Sequence, residues 1–375
     1  MNVRLREALQ RCLADGLTFA AFRLPGGPVQ LWVQTDPIVE QVSTDLLAKL
    51  KDRFVIAPFR SRTGQAMALR PDLRIVFGGN ESDLDALDEC AGTEQGRSDP
   101  TLLGGHDKTM TREAFATAIQ DAKDAFASGA MEKVVLARTV EQVCNRSLLP
   151  WLFAEALEQR TLALVALVHT TGTGTWLGAS PELLLQADGD RVSADALAGT
   201  MPVVNAPRKA EEWGEKERDE QAMVARSVLN TFIDTGLEEL HARGPEIVEA
   251  GPVAHLRSSI HARLAGRSLA GLAMALHPTP AVCGMPREVA LDFIAGHEPH
   301  DRQLYAGFWG PWQTAGRTDL FVNIRCLHAV DDRAIIHTGA GITAGSVAEK
   351  EWNETEHKAR TWTQAIDALR KGRVS

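Results

Sequence analysis

A mixed α/β fold with largely antiparallel sheets is the architecture this sequence predicts, and three observations carry the reading. Strand-like and helical runs interleave along the 375 residues without a repeated strand–helix–strand rhythm. No glycine-rich phosphate loop follows a strand, as a doubly wound dinucleotide fold would require. No proline- or glycine-rich linker divides the chain, so residues 1–375 are expected to form a single domain with a large buried core.

Within residues 1–100, Leu17–Leu24, Val29–Val33 and Leu73–Phe77 read as strands and Ile38–Leu50 as a helix. Gly78, Gly79 and Asn80, then Gly96 to Pro100, mark loops, and this variable N-terminal portion carries no recognisable chemistry. Thr111–Ala127 is helical, with Phe115, Ile119, Ala122 and Phe126 recurring on one side until Gly129 ends it. Lys133–Val140 then reads as a strand, followed by strands at Leu162–Val168, Thr175–Leu177, Leu183–Leu185 and Leu197–Thr200. A long helix is expected over Lys209–Asp234, and short strands near Gly251–His261. Strand-like runs at Leu304–Gly310, Leu320–Leu327 and Ala334–Gly339 precede a closing helix, Ala348–Lys371.

A formal net charge of -9 gives no support for nucleic acid as a partner, although a locally basic pocket for an anion is compatible with it. The five cysteines are odd in number, widely spaced and without a CxxC pair, so neither a disulfide framework nor a thiolate metal site is indicated. No apolar run reaches the ~18 residues of a membrane helix, and the N-terminus lacks a signal pattern. A cytoplasmic protein without membrane contact is the resulting expectation.

The segment Gly339–Lys358 is the richest in chemistry. A glycine-rich turn leads into a helix on which Glu351, Glu354 and Lys358, spaced by three and four, share one face. Glycines can offer backbone N–H groups to an anion, and paired carboxylates offer oxygens to a hard divalent cation. A solvated helix with ordinary Glu/Lys pairs is the plain alternative. Lys133 opens an apolar strand, where it is either an edge lysine reaching solvent or a base withdrawn from water. Glu182, between a proline and three leucines in GASPELLL, is either a turn cap or an acid whose pKa burial raises. Glu217 and Glu220 lie in a charge-rich helix that is either solvated or contributes one carboxylate to a metal site with Glu354. His255 and His277 sit in apolar surroundings, where hydrogen-bonded structural histidines are the common case. Arg325, inside the strand-like FVNIRCL, needs a carboxylate or phosphate partner, from a substrate or from a structural acid.

Taken in order, KVVLAR (Lys133–Arg138), GASPELLL (Gly178–Leu185), ALAGT (Ala196–Thr200), EKERDEQ (Glu215–Gln221), HL (His255–Leu256), HPTPAVCG (His277–Gly284), YAGFWG (Tyr305–Gly310), NIR (Asn323–Arg325) and the Gly339–Lys358 segment resemble the chorismate-utilising enzyme family. The likeness runs through roughly residues 110–370, the catalytic core motifs, and is closest to its isochorismate synthases. It implies the family's fold, largely antiparallel sheets surrounded by helices, and a magnesium-dependent interconversion of chorismate and isochorismate. By the resemblance Lys133 activates water for attack at C2 and Glu182 protonates the departing C4 hydroxyl. Glu220 and Glu354 hold Mg2+ with Glu351 assisting. Arg325, Tyr305 and the Gly339 backbone fix the enolpyruvyl carboxylate. Lys358 and Gly199 complete anion binding, while His255 and Ala281 line the ring pocket.

Lys133 and ALAGT, where ammonia-using relatives carry PIAGT, favour water chemistry, so no glutaminase subunit is expected. FVNIRC and AEKEW direct the product toward menaquinone synthesis. A siderophore-pathway isochorismate synthase, a salicylate synthase that goes on to eliminate pyruvate, and an inactive metabolite-binding scaffold are the alternatives. The family's DRHEH appears here as ERDEQ, with Asp219 and Gln221 in place of histidines, and PEKEW appears as AEKEW, with Ala348 in place of proline.

Overall fold

The computed structural model describes residues 3–60, 65–79, 84–87, 89–90, 109–250 and 253–374. Asn80 and the expected loop at 96–100 lie outside them. Two nine-stranded sheets form the frame. In spatial order the first contains Gly284–Met285, Lys133–Val143, Arg333–Ile342, Cys326–Val330, Gly174–Ser180, Leu164–Thr170, Thr18–Arg23, Val29–Gln34 and Leu73–Val76. The second contains Glu238–Ala250, Val253–Arg263, Arg191–Pro202, Leu183–Asp188, Arg317–Val322, Phe308–Trp312, Arg53–Ala57, Ala66–Leu69 and Glu40–Val42. Every strand pairing among the described residues is antiparallel, as the sequence predicts.

Alternation explains how the first sheet is buried on both faces. On Thr18–Arg23, Ala20 and Phe22 enter the core shared with the second sheet, while Phe19 and Ala21 point to a separate core. That outer core is roofed by the helices Val3–Asp15, Leu149–Gln159 and Ala348–Val374 through Leu9, Leu152, Trp362 and Ile366. The helix Glu215–Thr235 packs Val224, Val228 and Phe232 into the shared core. Each fully buried Phe contributes about 1.5–3 kcal/mol. The strands between residues 18 and 76 complete both sheets, so the N-terminal portion is integral to the frame.

Three local expectations are corrected. Ile38–Leu50 is no helix: Glu40–Val42 pairs with Ala66–Ala68, and only the turn Thr44–Leu47 is helical, capped by Ser43 Oγ accepting from Leu46 N at 3.3 Å. Edge pairing and a serine cap outcompete the helical periodicity there. The helix expected from Lys209 begins at Glu215, because buried Trp213 anchors an extended residue before Gly214. Leu320–Leu327 is no continuous strand: Arg317–Val322 belongs to one sheet and Cys326–Val330 to the other, with Arg325 at φ 50 in the turn between them. Among the described residues no helix is long and apolar enough to cross a membrane.

Candidate active site

Two chain crossings between the sheets lie side by side and create the site. At Pro181–Glu182 the chain leaves Gly174–Ser180 for Leu183–Asp188, and at Asn323–Arg325 it returns from Arg317–Val322 to Cys326–Val330. The crossings are tied together: Ala179 N donates to Arg325 O at 3.1 Å and Val322 N to Glu182 O at 3.0 Å. Trp362 Nε1 also donates to Arg325 O, at 2.9 Å. These bonds hold Arg325 in a left-handed conformation of the kind that clusters at functional sites.

The crossings open into a cleft of ≈ 730 Å³ lined by Glu182, Gly199, Glu220, His255, Ala281, Tyr305, Arg325, Gly339, Glu354 and Lys358. Lys133 is fully buried, and its Nζ lies 2.9 Å from Glu220 Oε1 in an ion pair that lacks hydrogen-bond alignment. This contact joins the first sheet to the helix Glu215–Thr235 on the second. The Lys133 side chain therefore points inward, and the solvent-reaching alternative is excluded.

Glu182 is almost fully buried and accepts from Thr279 Oγ1 at 3.3 Å. Burial pushes its carboxyl up to about 7, against the opposing pull of Thr279 and Lys133. Burial acts to raise Glu220 as well, but Lys133, Lys358 and Lys216 outweigh it and hold that carboxyl below its ordinary value. Two carboxylates in one cleft are thus driven in opposite directions, the pattern of a proton donor beside a permanent anion.

Glu351 and Glu354 are also paired with lysines. Lys216 Nζ donates to buried Glu351 Oε1 at 2.6 Å, and Lys358 Nζ lies 2.6 Å from Glu354 Oε1 while donating to Gly339 O at 2.7 Å. Burial raises the Glu351 carboxyl. Among the described residues no group of three or more His, Cys, Asp or Glu side chains is gathered as a metal centre. Even so, Glu351, Glu220 and Glu354 together raise the Lys216 ammonium against its burial. Carboxylate oxygens are the hard donors a divalent cation takes, and each of these three is held by a lysine here.

Arg325 has no carboxylate within ion-pairing distance among the described residues, so the structural-acid alternative does not hold there. Burial, with Arg160 nearby, lowers its guanidinium to about 10, still charged at neutral pH. Burial raises the Tyr305 phenol, whose ring stacks on His337 at 5.3 Å. His255 is pushed down to about 3 by burial and by Arg325, so it is neutral, and its Nδ1 meets Thr200 Oγ1 at 3.0 Å. His277 bonds Pro58 O at 3.1 Å and serves the frame, as its apolar surroundings suggest. Glu217 does not line the cleft, and Gln221 donates to Ser258 Oγ at 2.7 Å.

Gly339 and Gly341 lie within the strand Arg333–Ile342 rather than in a turn. A Cβ at Gly341 would stand 2.6 Å from Glu220 Oε1, and one at Gly339 would stand 2.8 Å from the Tyr305 hydroxyl. Their function here is close approach: they make room for the acid and the phenol, on one face of the strand because they are two residues apart. Gly341, Lys216, Thr200 and His337 were not anticipated. The GxG spacing within a β-branched run was the available signal for Gly341.

Residues 80–367 match the family model for the chorismate binding enzyme. The chain belongs to this family. It is 35% identical to isochorismate synthase DhbC of Bacillus subtilis over 272 residues, 68% of this chain and 68% of that protein. Isochorismate synthase EntC of Escherichia coli K12 is 32% identical over 240 residues, 62% of this chain and 61% of EntC, which is less than two thirds of the latter's length. The solved structure of MenF, the menaquinone-specific isochorismate synthase from Escherichia coli, superposes with a TM-score of 0.78 at 22% identity, covering 98% of this chain and 91% of that one. That likeness establishes the mixed α/β frame of antiparallel sheets and surrounding helices as the family's fold.

Proposed function

We propose that this chorismate-binding family member is an isochorismate synthase, adding water at C2 of chorismate and expelling the C4 hydroxyl. The observation that carries this reading is Glu182, a buried carboxyl raised to about 7 in a cleft that also holds the cations Arg325 and Lys358. A water oxygen bonds to C2, the ring double bonds shift and the C4–O bond breaks. Glu182 supplies the proton that lets the hydroxyl leave as water. Lys133 takes the proton of the attacking water. The substrate's two carboxylates suit the cleft's cations: Arg325, Tyr305 and the Gly339 backbone for the enolpyruvyl carboxylate, with Lys358 and the Gly199 region completing anion binding. Neutral His255 and Ala281 would flank the ring. Glu220 and Glu354, assisted by Glu351, would hold Mg2+, which when bound would neutralise the ring carboxylate as charge rearranges.

Incubating the protein with chorismate and Mg2+ and resolving isochorismate, salicylate and pyruvate over time tests the proposal. Isochorismate without early pyruvate supports it. Matched salicylate and pyruvate would replace it with salicylate synthesis, and unchanged chorismate would point to a binding scaffold. The relatives' names include both MenF and EntC, so the menaquinone branch rests on the FVNIRC and AEKEW segments.

Two consequences are measurable. Because Glu182 must be protonated to act as the acid, the forward rate should fall as pH rises through about 7. Glu182→Gln should lose about 10²- to 10⁴-fold in kcat and abolish that limb of the pH profile. The same raised pKa makes the Glu182 contribution to stability complete below about 4.5 and progressively lost as pH climbs through about 7. A pH profile that persists in Glu182→Gln would assign the proton to another group. For the cation, Glu354→Gln should shift the Mg2+ titration of activity by about tenfold or more, and an unshifted titration would remove Glu354 from the cation's shell.

A further inference from the structure

A second cavity, of ≈ 540 Å³, shares Pro181 and Arg325 with the catalytic cleft, and its other charged lining groups are Arg160 and Glu249. Arg160 lies close enough to Arg325 to be the largest charge effect on it. Neither guanidinium makes an ion pair among the described residues. Glu155 and Glu354 influence them only at a distance, and Glu249 is exposed at the edge of the cavity. A third cation fixes the segment from which Arg160 projects: Arg23 donates to the carbonyls of Leu157 and Arg160. Two like-charged forks facing one cavity repel unless an anion joins them, and a guanidinium carries enough N–H donors to serve two anions on different edges.

We infer that this cavity is a second anion subsite, taking a small carboxylate or phosphate between Arg160 and Arg325 and loosening the hold of Arg325 on substrate in the cleft. The loosening rests on the proposed role of Arg325 as anchor of the enolpyruvyl carboxylate; the subsite itself does not. An anion on one edge of the fork offsets the charge available to the other, so occupancy of the subsite opposes substrate binding, and the effect is reciprocal.

The test begins with calorimetric titration of inorganic phosphate, and separately of pyruvate, into the substrate-free protein at constant ionic strength. Wild type should bind at least one of them, and Arg160→Gln should weaken that binding about tenfold or more, the usual worth of a charge-assisted pair. Arg160→Lys, which keeps the charge without the fork, should recover part of the loss and shows that folding is intact. Binding of phosphate alone assigns the subsite to phosphates, and binding of pyruvate alone assigns it to carboxylates. In turnover assays the bound anion should raise KM for chorismate several-fold at constant kcat in wild type and leave it nearly unchanged in Arg160→Gln. Equal anion binding in wild type and Arg160→Gln would overturn the inference, placing the anion on Lys358 and Arg325 in the cleft. So would a raised KM in Arg160→Gln without added anion, which would make Arg160 part of the substrate site. If no chorismate is converted at all, the proposed function fails, while the calorimetry still decides the subsite.

Discussion

Replacing Lys133 by alanine is expected to lower chorismate turnover about 10²- to 10⁴-fold, the usual worth of a positioned general base. The substitution has two consequences, and they separate experimentally. It removes the buried amine proposed to activate water, and it removes the cation 2.9 Å from Glu220. Deleting one partner of a buried pair costs about 3–5 kcal/mol where nothing else compensates. Here Lys358 and Lys216 also act on Glu220, and its side chain is 17% exposed, so the stability cost should fall below that range. Cleft residues that would contact the substrate's carboxylates, Arg325, Tyr305 and Lys358, remain in place. Lys133→Ala should therefore still fold and bind chorismate while losing kcat. The measurement is single-turnover isochorismate formation alongside equilibrium chorismate binding. Turnover like that of wild type would sink Lys133 as the base, and loss of binding with loss of fold would assign it a structural role.

The parts of this site that could be read in the sequence are those built from short-range periodicity. Glu351, Glu354 and Lys358 share a face because three and four residues complete about one helical turn, and the helix Ala348–Val374 carries them as expected. Lys133 opening an apolar strand and Glu182 between proline and leucines also declared themselves through their neighbours. What could not be read depends on contacts between distant segments. Lys216 meets Glu351 across 135 positions, and no local pattern marks that pairing. Gly341 looked like part of an anion-binding turn, and only the packed position of Glu220 shows that the missing side chain is what matters. Arg325 reads as a strand residue because apolar residues flank it on both sides. Those residues serve two different sheets, and the crossing between them is a tertiary event that hydropathy does not record. Ile38–Leu50 failed for a related reason: pairing with Ala66–Ala68 on a sheet edge overrode a helical pattern.

Arg302→Met is expected to destabilise the fold by about 3–5 kcal/mol, by leaving the buried Glu298 carboxylate without its partner. Beyond the two-residue strand Gly284–Met285, the edge of Lys133–Val143 has no neighbouring strand among the described residues, yet Val135 to Thr139 are buried. Side chains take the place of the missing ladder. Arg302 donates to Val135 O at 2.7 Å and to Val282 O at 2.7 Å, and Glu298 Oε1 accepts from Ala137 N at 2.8 Å. The two are joined by Arg302 Nε donating to Glu298 Oε2 at 2.8 Å and by a second, shorter contact to Oε1. Each is about 2% exposed, and the guanidinium lies 4.3 Å over the Phe59 ring. Burial works against the Arg302 charge, but Glu298 more than restores it. Methionine matches the length of the arginine stem but supplies no donor, so two backbone carbonyls and a carboxylate lose their bonds at once. Urea unfolding should show the loss as a lower midpoint at unchanged slope. Adding Glu298→Gln to Arg302→Met removes the stranded charge and should recover part of the loss, giving a coupling energy well beyond independent sites. Because Val135 is two residues from Lys133 and Val282 adjoins Ala281, the same variant should lower kcat in the fraction that stays folded. A cost below about 1 kcal/mol, the level of an exposed pair, would mean that the sheet edge is held by its apolar contacts and that the dyad is dispensable.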